Sequence, residues 1–411
     1  MKVNSAHLTE QLDTLAGFSD APAPAVTRVV YTDTDLKARA YLKSLIAEVG
    51  LSVREDALGN LFARWEGAEP TLAAVATGSH IDAIPFSGRF DGTVGVLGGL
   101  EAIRALKKSG FRPRRSLDLI LFTAEEPTRF GVGCFGSRAL AGALTPDALA
   151  DLKGDDGSSV LEAAAQAGFA GDAGAARLLP GYYHAFVELH IEQGSRLEAA
   201  GVPIGVVSAV AAPATLHVTL VGAGGHAGAV LMRERHDALL AGAELAAAVE
   251  AAALATGVPD SVATVGVFDV YPRAVNSIPS RVFLSVDVRD IDLERRDGMV
   301  TRIRRDLGTL TRKRQVKAEV VVVNADPPAT CAPEIIQAAH AAAEAAGLAA
   351  QTLVSRAYHD TLFMARVCPV GMIFIPSKGG VSHRPDEYSS PEEIAQGVRV
   401  LARTLAALSS A

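Results

Sequence analysis

Leu117-Asp118-Leu119-Ile120-Leu121-Phe122-Thr123-Ala124-Glu125-Glu126 is the stretch from which the fold can be read. Its first six residues are apolar except for Asp118 and form a short run of the length of a buried strand. Two adjacent carboxylates follow. Upstream, Leu72 to Thr77 is a second apolar run, ending at Gly78. Between the two runs, after Asp91-Gly92, the residues Val96, Leu100, Ile103 and Leu106 recur at helical spacing, and residues 35–49 also read as helix. Strand, helix, strand in this order predicts an α/β domain with a mostly parallel central sheet. His80 and Glu125-Glu126 then both follow C-terminal strand ends, where open α/β sheets place their sites.

The texture changes near Pro213. Leu216, Val218 and Leu220 alternate with Thr215, His217, Thr219 and Val221, as in a half-buried strand. An Ala/Leu helix is expected at about 236–255, strands near 262–268 and 281–288, a basic helix near 293–311 and a strand near 316–323. That order, β-α-β-β-α-β, predicts a ferredoxin-like unit. A linker with Pro327-Pro328 leads back to helix, strand 370–375 and a final helix. The expected division is a catalytic domain of residues 1–212 and 328–411, interrupted by a hinged lid at 213–327. The Ala-rich stretches 161–176 and 339–350 read as helices.

Composition narrows the function. A chain of 411 residues is long for a single core. A net charge of −7 argues against a general nucleic-acid surface. Arg302, Arg304, Arg305, Arg312, Lys313, Arg314 and Lys317 read as the solvated face of one helix and its exit loop. No run reaches the roughly 18 apolar residues of a membrane span, and the N-terminus lacks the apolar core of a signal peptide. Three cysteines, Cys134, Cys331 and Cys368, share no metal-ligand spacing, so a reduced cytoplasmic setting is expected.

The polar residues at the strand ends form an inventory: Gly78-Ser79-His80-Ile81-Asp82, Asp91-Gly92, Glu125-Glu126, Glu188-Leu189-His190-Ile191-Glu192-Gln193-Gly194 and Ser382-His383. Each has a plain alternative. Asp-Gly is a common turn, paired glutamates suit a helix N-terminus, and a single histidine is more often packed than ligating. Asp82, two residues after His80, is placed to orient its imidazole. Jointly the set offers several hard or borderline ligands, no thiolate and one spare carboxylate, which is what a two-metal hydrolytic site requires.

These motifs, in this order from about residue 10 to 408, resemble the M20-type binuclear metallohydrolases. Within them they resemble the amidase/carbamoylase branch of N-carbamoyl-L-amino acid hydrolases, β-ureidopropionases, allantoate amidohydrolases and ureidoglycolate amidohydrolases. The resemblance implies that His80 and His190 hold one divalent cation and Glu126 and His383 the other, with Asp91 bridging and Glu125 as general base. It favours manganese; the ligand types also admit zinc, cobalt or nickel. Two cations about 3.5–4 Å apart would bring a bridging water towards neutral pKa, and the base must touch that water without being locked onto a metal.

The same resemblance implies substrate contacts. Gly222-Ala223-Gly224-Gly225-His226-Ala227-Gly228 is similar to a family turn whose histidine stabilises the oxyanion across a homodimer. Asn276 and Arg289 match positions that hold a substrate carboxylate, for which a guanidinium fork is suited; the plain alternative for Arg289 is an ion pair with Asp287 or Asp290. Gln193 is expected to meet the ureido group. Carbamoylases carry Ser-Gly-Ala-Gly-His-Asp where this chain has Ser355-Arg356-Ala357-Tyr358-His359-Asp360. The larger Arg356 and Tyr358 imply a smaller pocket with an added phenol, and the variant resembles the ureidoglycolate amidohydrolases, with Tyr358 and His359 contacting a small ureido acid. The expected reaction is hydrolysis of the ureido C–N bond of ureidoglycolate, a step in purine catabolism. N-carbamoyl-L-amino acid, β-ureidopropionate or allantoate hydrolysis is the alternative.

Overall fold

The computed structural model describes residues 2–411. They divide into two compact units. One comprises the chain up to Ser208, Thr330–Ser355 and His359–Ala411; the other comprises Ala209–Ala329 and Arg356–Tyr358.

The first unit is built on a nine-stranded sheet. Its centre is parallel: strand Ala74–Ser79 pairs in parallel with Leu117–Leu121 on one side and Tyr183–Ile191 on the other, and Val370–Ile375 pairs in parallel with Tyr183–Ile191. The flanks are antiparallel, through Leu61–Trp65 on Leu117–Leu121, Ser52–Glu55 on Leu61–Trp65, and Ile204–Val210 on Val370–Ile375. The sheet is thus mixed, and the mostly parallel arrangement is a property of its central strands alone. Leu117, Leu119 and Leu121 face a core with Val96, Leu100 and Ile103 of helix Thr93–Lys108 and Val398, Leu401 and Leu405 of helix Pro391–Ser410. Ile120 and Phe122 face a second core with Phe62, Phe186 and Met364. Asp118 is tolerated in this apolar run because Arg64 grips it with two N–H groups, at 2.7 and 2.8 Å, and the Tyr183 hydroxyl donates to it at 3.0 Å.

Two local readings shift. The strand expected at 72–77 lies at Ala74–Ser79, because the chain stays extended through Gly78 and pairs it with Ile120. Of the Ala-rich stretches, only Val160–Gln166 and Pro333–Ala345 are α-helix; a strand already begins at Ala350.

In the second unit, strand Ala212–Val221, helix Ala238–Leu254, strands Val262–Tyr271 and Arg281–Asp290, helix Leu293–Arg314 and strand Lys317–Ala325 follow in order. The four strands form one antiparallel sheet, with Ala212–Val221 and Arg281–Asp290 in the middle. Leu216, Val218, Leu220, Val282, Leu284 and Val286 pack against Leu245, Val249, Met299 and Ile303 of the helices, so the predicted alternation does bury its apolar side. The basic helix carries its charge in ion pairs, Arg302 and Arg305 with Asp306, and Lys313 and Arg314 with Glu244. No helix among the described residues is long and apolar enough to cross a membrane.

Candidate metal centre

Four strand ends and two loops of the first unit converge on Asp91. This residue ends the turn before helix Thr93–Lys108, and the next residue must be glycine. Gly92 has φ +65°, and a Cβ there would stand 2.4 Å from Nε2 of His80. The two oxygens of Asp91 point to different partners. Oδ1 lies 3.2 Å from Nε2 of His190 and 3.7 Å from Nε2 of His80. Oδ2 lies 3.2 Å from Nε2 of His383, which is itself 3.4 Å from Oε1 of Glu126. His80, Asp91 and His190 form one group with ligand atoms within 4.8 Å of one another; Asp91, Glu126 and His383 form a second. Glu125 belongs to neither.

The imidazoles are turned by their backbone partners. Nδ1 of His190 contacts the Ile191 carbonyl oxygen at 2.9 Å, and Nδ1 of His80 contacts the Asp82 carbonyl oxygen at 3.1 Å. Each ring therefore presents Nε2 to Asp91. The Asp82 carboxylate, expected to orient His80, is farther from that ring, at 3.5 Å. Its oxygens accept the backbone N–H groups of Glu125, at 3.2 Å, and Glu126, at 3.0 Å. Asp82 thus holds His80 mainly by its backbone and the two glutamates by its side chain.

Glu125 is held from the other side as well. Cys134 donates its N–H to the Glu125 carbonyl at 2.8 Å and its thiol to Oε1 at 3.6 Å. Burial, above all, pushes the Glu125 carboxyl well above its usual range, only partly opposed by His80. Glu126 is raised to about 7, first by burial and then by Asp91. Asp91 goes the other way: burial alone would raise it, but its contacts with His190 and His383 hold it well below the carboxylate range. His383 rises to about 9, chiefly through Asp91. Crowded carboxylates of this kind favour positive charge in their midst, and the donors are histidine and carboxylate only. That set fits divalent manganese, zinc, cobalt or nickel.

Gln193 donates Nε2 to Asp91 Oδ2 at 2.8 Å, while its Oε1 is buried without a hydrogen-bond partner. His359, expected to touch substrate, is 1% exposed. Its ring lies edge-on against His190, centroids 4.5 Å apart, and its Nε2 contacts Ser355 Oγ at 3.1 Å. This packing sets His359 directly against His190, and its ring nitrogen falls in a group with Glu188 and His190.

The remaining expected contacts are in the second unit. His226 is exposed and its Nδ1 accepts the Gly228 N–H at 3.0 Å. Its short strand pairs with Ser277-Ile278, and Ala227 donates its N–H to the Asn276 carbonyl at 2.8 Å, so His226 and Asn276 lie side by side on one short two-stranded ladder. Arg289 makes the plain ion pair with Asp287 at 2.7 Å and donates to the Arg356 carbonyl at 3.0 Å. Arg356 in turn bonds Asp260. Tyr358 is half-buried within the same unit.

Two polar residues were given no role from the sequence, Glu188 and Glu387. Glu188, fully buried, accepts Ser79 Oγ at 2.7 Å and the hydroxyl and N–H of Thr361, at 2.5 and 3.2 Å, which ties the 359–361 turn to two central strands. Glu387 reaches Asp91 itself. Glu188 stood in a quoted motif, two residues before His190; strand alternation puts it on the same face, the one signal that could have flagged it.

A model of the peptidase family M20/M25/M40 matches residues 76–407. The ureidoglycolate hydrolase of Arabidopsis thaliana is 54% identical over 416 residues, covering 100% of this chain and 87% of that protein. The N-carbamoyl-L-amino acid amidohydrolase of Geobacillus stearothermophilus is 38% identical, covering 98% of each. Among solved structures, AtUAH in complex with glyoxylate superposes with a TM-score of 0.90 at 54% identity, covering 100% of this chain and 98% of that one.

Proposed function

The chain belongs to the peptidase family M20/M25/M40, and on that premise we propose that it hydrolyses the ureido C–N bond of ureidoglycolate, giving glyoxylate, ammonia and carbon dioxide. The observation that carries the chemistry is Asp91, whose two oxygens face separate donor groups. The substrate rests on the full-length likeness to ureidoglycolate hydrolase and on a neighbour of the same fold that binds glyoxylate.

His80 and His190 would hold one divalent cation and Glu126 and His383 the other, with Asp91 shared; manganese is favoured. Bound there, the cations would polarise the carbamoyl oxygen and make water acidic enough to deprotonate near neutral pH. Glu125 takes the proton of the attacking water and returns it to the departing nitrogen. Water adds to the carbamoyl carbon, ammonia and carbon dioxide leave, and the remaining hydroxyglycine collapses to glyoxylate and a second ammonia. The unpartnered Oε1 of Gln193 suits a ureido N–H. Arg289 and Asn276 are the candidates for the substrate carboxylate, with Arg289 exchanging Asp287 for it. Tyr358 would narrow the pocket, and Tyr358 and His359 would contact the small ureido acid.

One assay tests the reading. Purified protein with manganese is offered ureidoglycolate, allantoate and an N-carbamoyl amino acid separately, and glyoxylate and ammonia are measured. Fast release of an intact amino acid, with little glyoxylate, would move the function to the carbamoylases. In the same panel, Tyr358→Gly is expected to slow ureidoglycolate about tenfold, the loss of roughly one hydrogen bond, and to admit larger N-carbamoyl acids. An unchanged substrate range would remove Tyr358 from the pocket.

The second unit we read as a ferredoxin-like lid and dimerisation domain, with His226 serving the site of a partner copy. His226→Ala and Glu125→Gln subunits, each inactive alone, should then regain activity when mixed and refolded together. Mixtures that stay inactive would confine His226 to its own subunit or exclude it. Three buried, unpaired cysteines support a cytoplasmic setting.

A further inference from the structure

Glu387 lies in the loop between strand Val370–Ile375 and helix Pro391–Ser410, and is 4% exposed. Its Oε1 accepts the backbone N–H groups of Phe90, at 2.8 Å, and Asp91, at 3.1 Å. Its Oε2 lies 2.9 Å from Ser382 Oγ. The same Ser382 hydroxyl lies 3.0 Å from Asp91 Oδ2, and Gln193 Nε2 lies 2.8 Å from that oxygen and 3.2 Å from the hydroxyl. Residue 88 leaves room for this carboxylate: a Cβ on Gly88 would stand 2.3 Å from Glu387 Oε1.

Counting hydrogens gives the logic of the cluster. A serine hydroxyl has one proton to donate, and Ser382 lies between two carboxylates. Gln193 supplies a further N–H, so Asp91 Oδ2 is supported whichever way the hydroxyl turns. Glu387 therefore holds Asp91 directly at its backbone N–H and competes with the Asp91 carboxylate for the single Ser382 proton. Both oxygens of Glu387 are thus engaged, Oε1 by two backbone N–H groups and Oε2 by Ser382, and Glu387 is in neither donor group.

We propose that Glu387 is a positioning residue for the shared ligand: it fixes Asp91 with its two oxygens directed to separate cations, and is neither ligand nor base. The proposal rests on the two-cation reading given above. The plain alternative is a carboxylate that merely staples the 88–92 turn to the C-terminal loop.

Two variants of similar size separate these. In Glu387→Gln the amide oxygen still accepts both N–H groups, and the amide nitrogen donates to Ser382, freeing its proton for Asp91. Glu387→Met fills the space and makes none of these bonds. Cation-free protein is titrated with manganese alone by equilibrium dialysis, and paramagnetic resonance reports whether bound ions are spin-coupled. Melting temperatures of the cation-free forms monitor folding. Glu387→Met is expected to bind manganese about 10–100-fold more weakly, the usual loss when a group behind a ligand is removed, and to lose the coupled signal. Glu387→Gln should bind within a few-fold of wild type and keep that signal. Wild-type affinity in Glu387→Met would overturn the proposal. So would equal losses of affinity and of melting temperature in both variants, which mark a staple. Wild-type protein that never binds a coupled pair would instead overturn the two-cation reading, and the proposal with it.

Discussion

Glu125→Gln is expected to bind as much metal as the wild type while kcat falls by about 10²–10⁴-fold, the range of general acid–base catalysis. The split follows from geometry. Glu125 lies outside both donor groups, so an amide in its place removes no ligand. Its main chain is held by Asp82 and Cys134 whatever the side chain is. Glutamine nearly reproduces the volume but cannot accept a proton and pass it on. Metal content by atomic absorption, measured on the sample used for turnover, is the check. A variant that loses metal would make Glu125 a ligand, and one that keeps turnover would remove it as the base.

Asp91→Ala is expected to abolish tight binding of both cations together. Each donor group loses its shared member, leaving His80 with His190, and Glu126 with His383. Gln193 and Ser382 lose their common acceptor at the same time. Losing the Lewis acid costs several kcal/mol of transition-state stabilisation, on the order of 10³ in rate or more. Dialysis against manganese, followed by an activity assay, reads both effects. Selective loss of one ion with normal retention of the other would show that Asp91 serves a single site.

Those expectations could be framed from the sequence because the candidate donors cluster locally, while their division into ligands and base came from the family resemblance. The run 117–122 ends in Glu125-Glu126, His80 and Asp82 are two residues apart, and Asp91 is next to its glycine. The alternation over residues 215–221 was equally local and marks a sheet with one buried side. What sequence did not yield was the antiparallel flank at 52–65, where Ser52–Glu55 is exposed and carries no apolar pattern. Nor did it yield the groups behind the ligands. Glu188 meets Thr361 at a distance of 173 residues along the chain, and Glu387 meets Phe90 at 297. Hydrogen bonds impose no periodicity on sequence, so a buried carboxylate of this kind looks like any surface one until the chain has folded. His359 adds a contact that its motif position did not reveal, its ring packing edge-on against His190.

The Asp82 carboxylate has a consequence for entropy. Its two oxygens each take one amide hydrogen, from Glu125 and from Glu126. The peptide joining the proposed proton carrier to the proposed metal ligand is thereby immobilised before any substrate arrives. Freezing a residue's backbone is worth about 1–2 kcal/mol, and here that cost is met once, during folding, rather than in every turnover. Those two amide protons should accordingly be among the slowest to exchange with solvent, and they should speed up in Asp82→Ala well before the fold itself gives way.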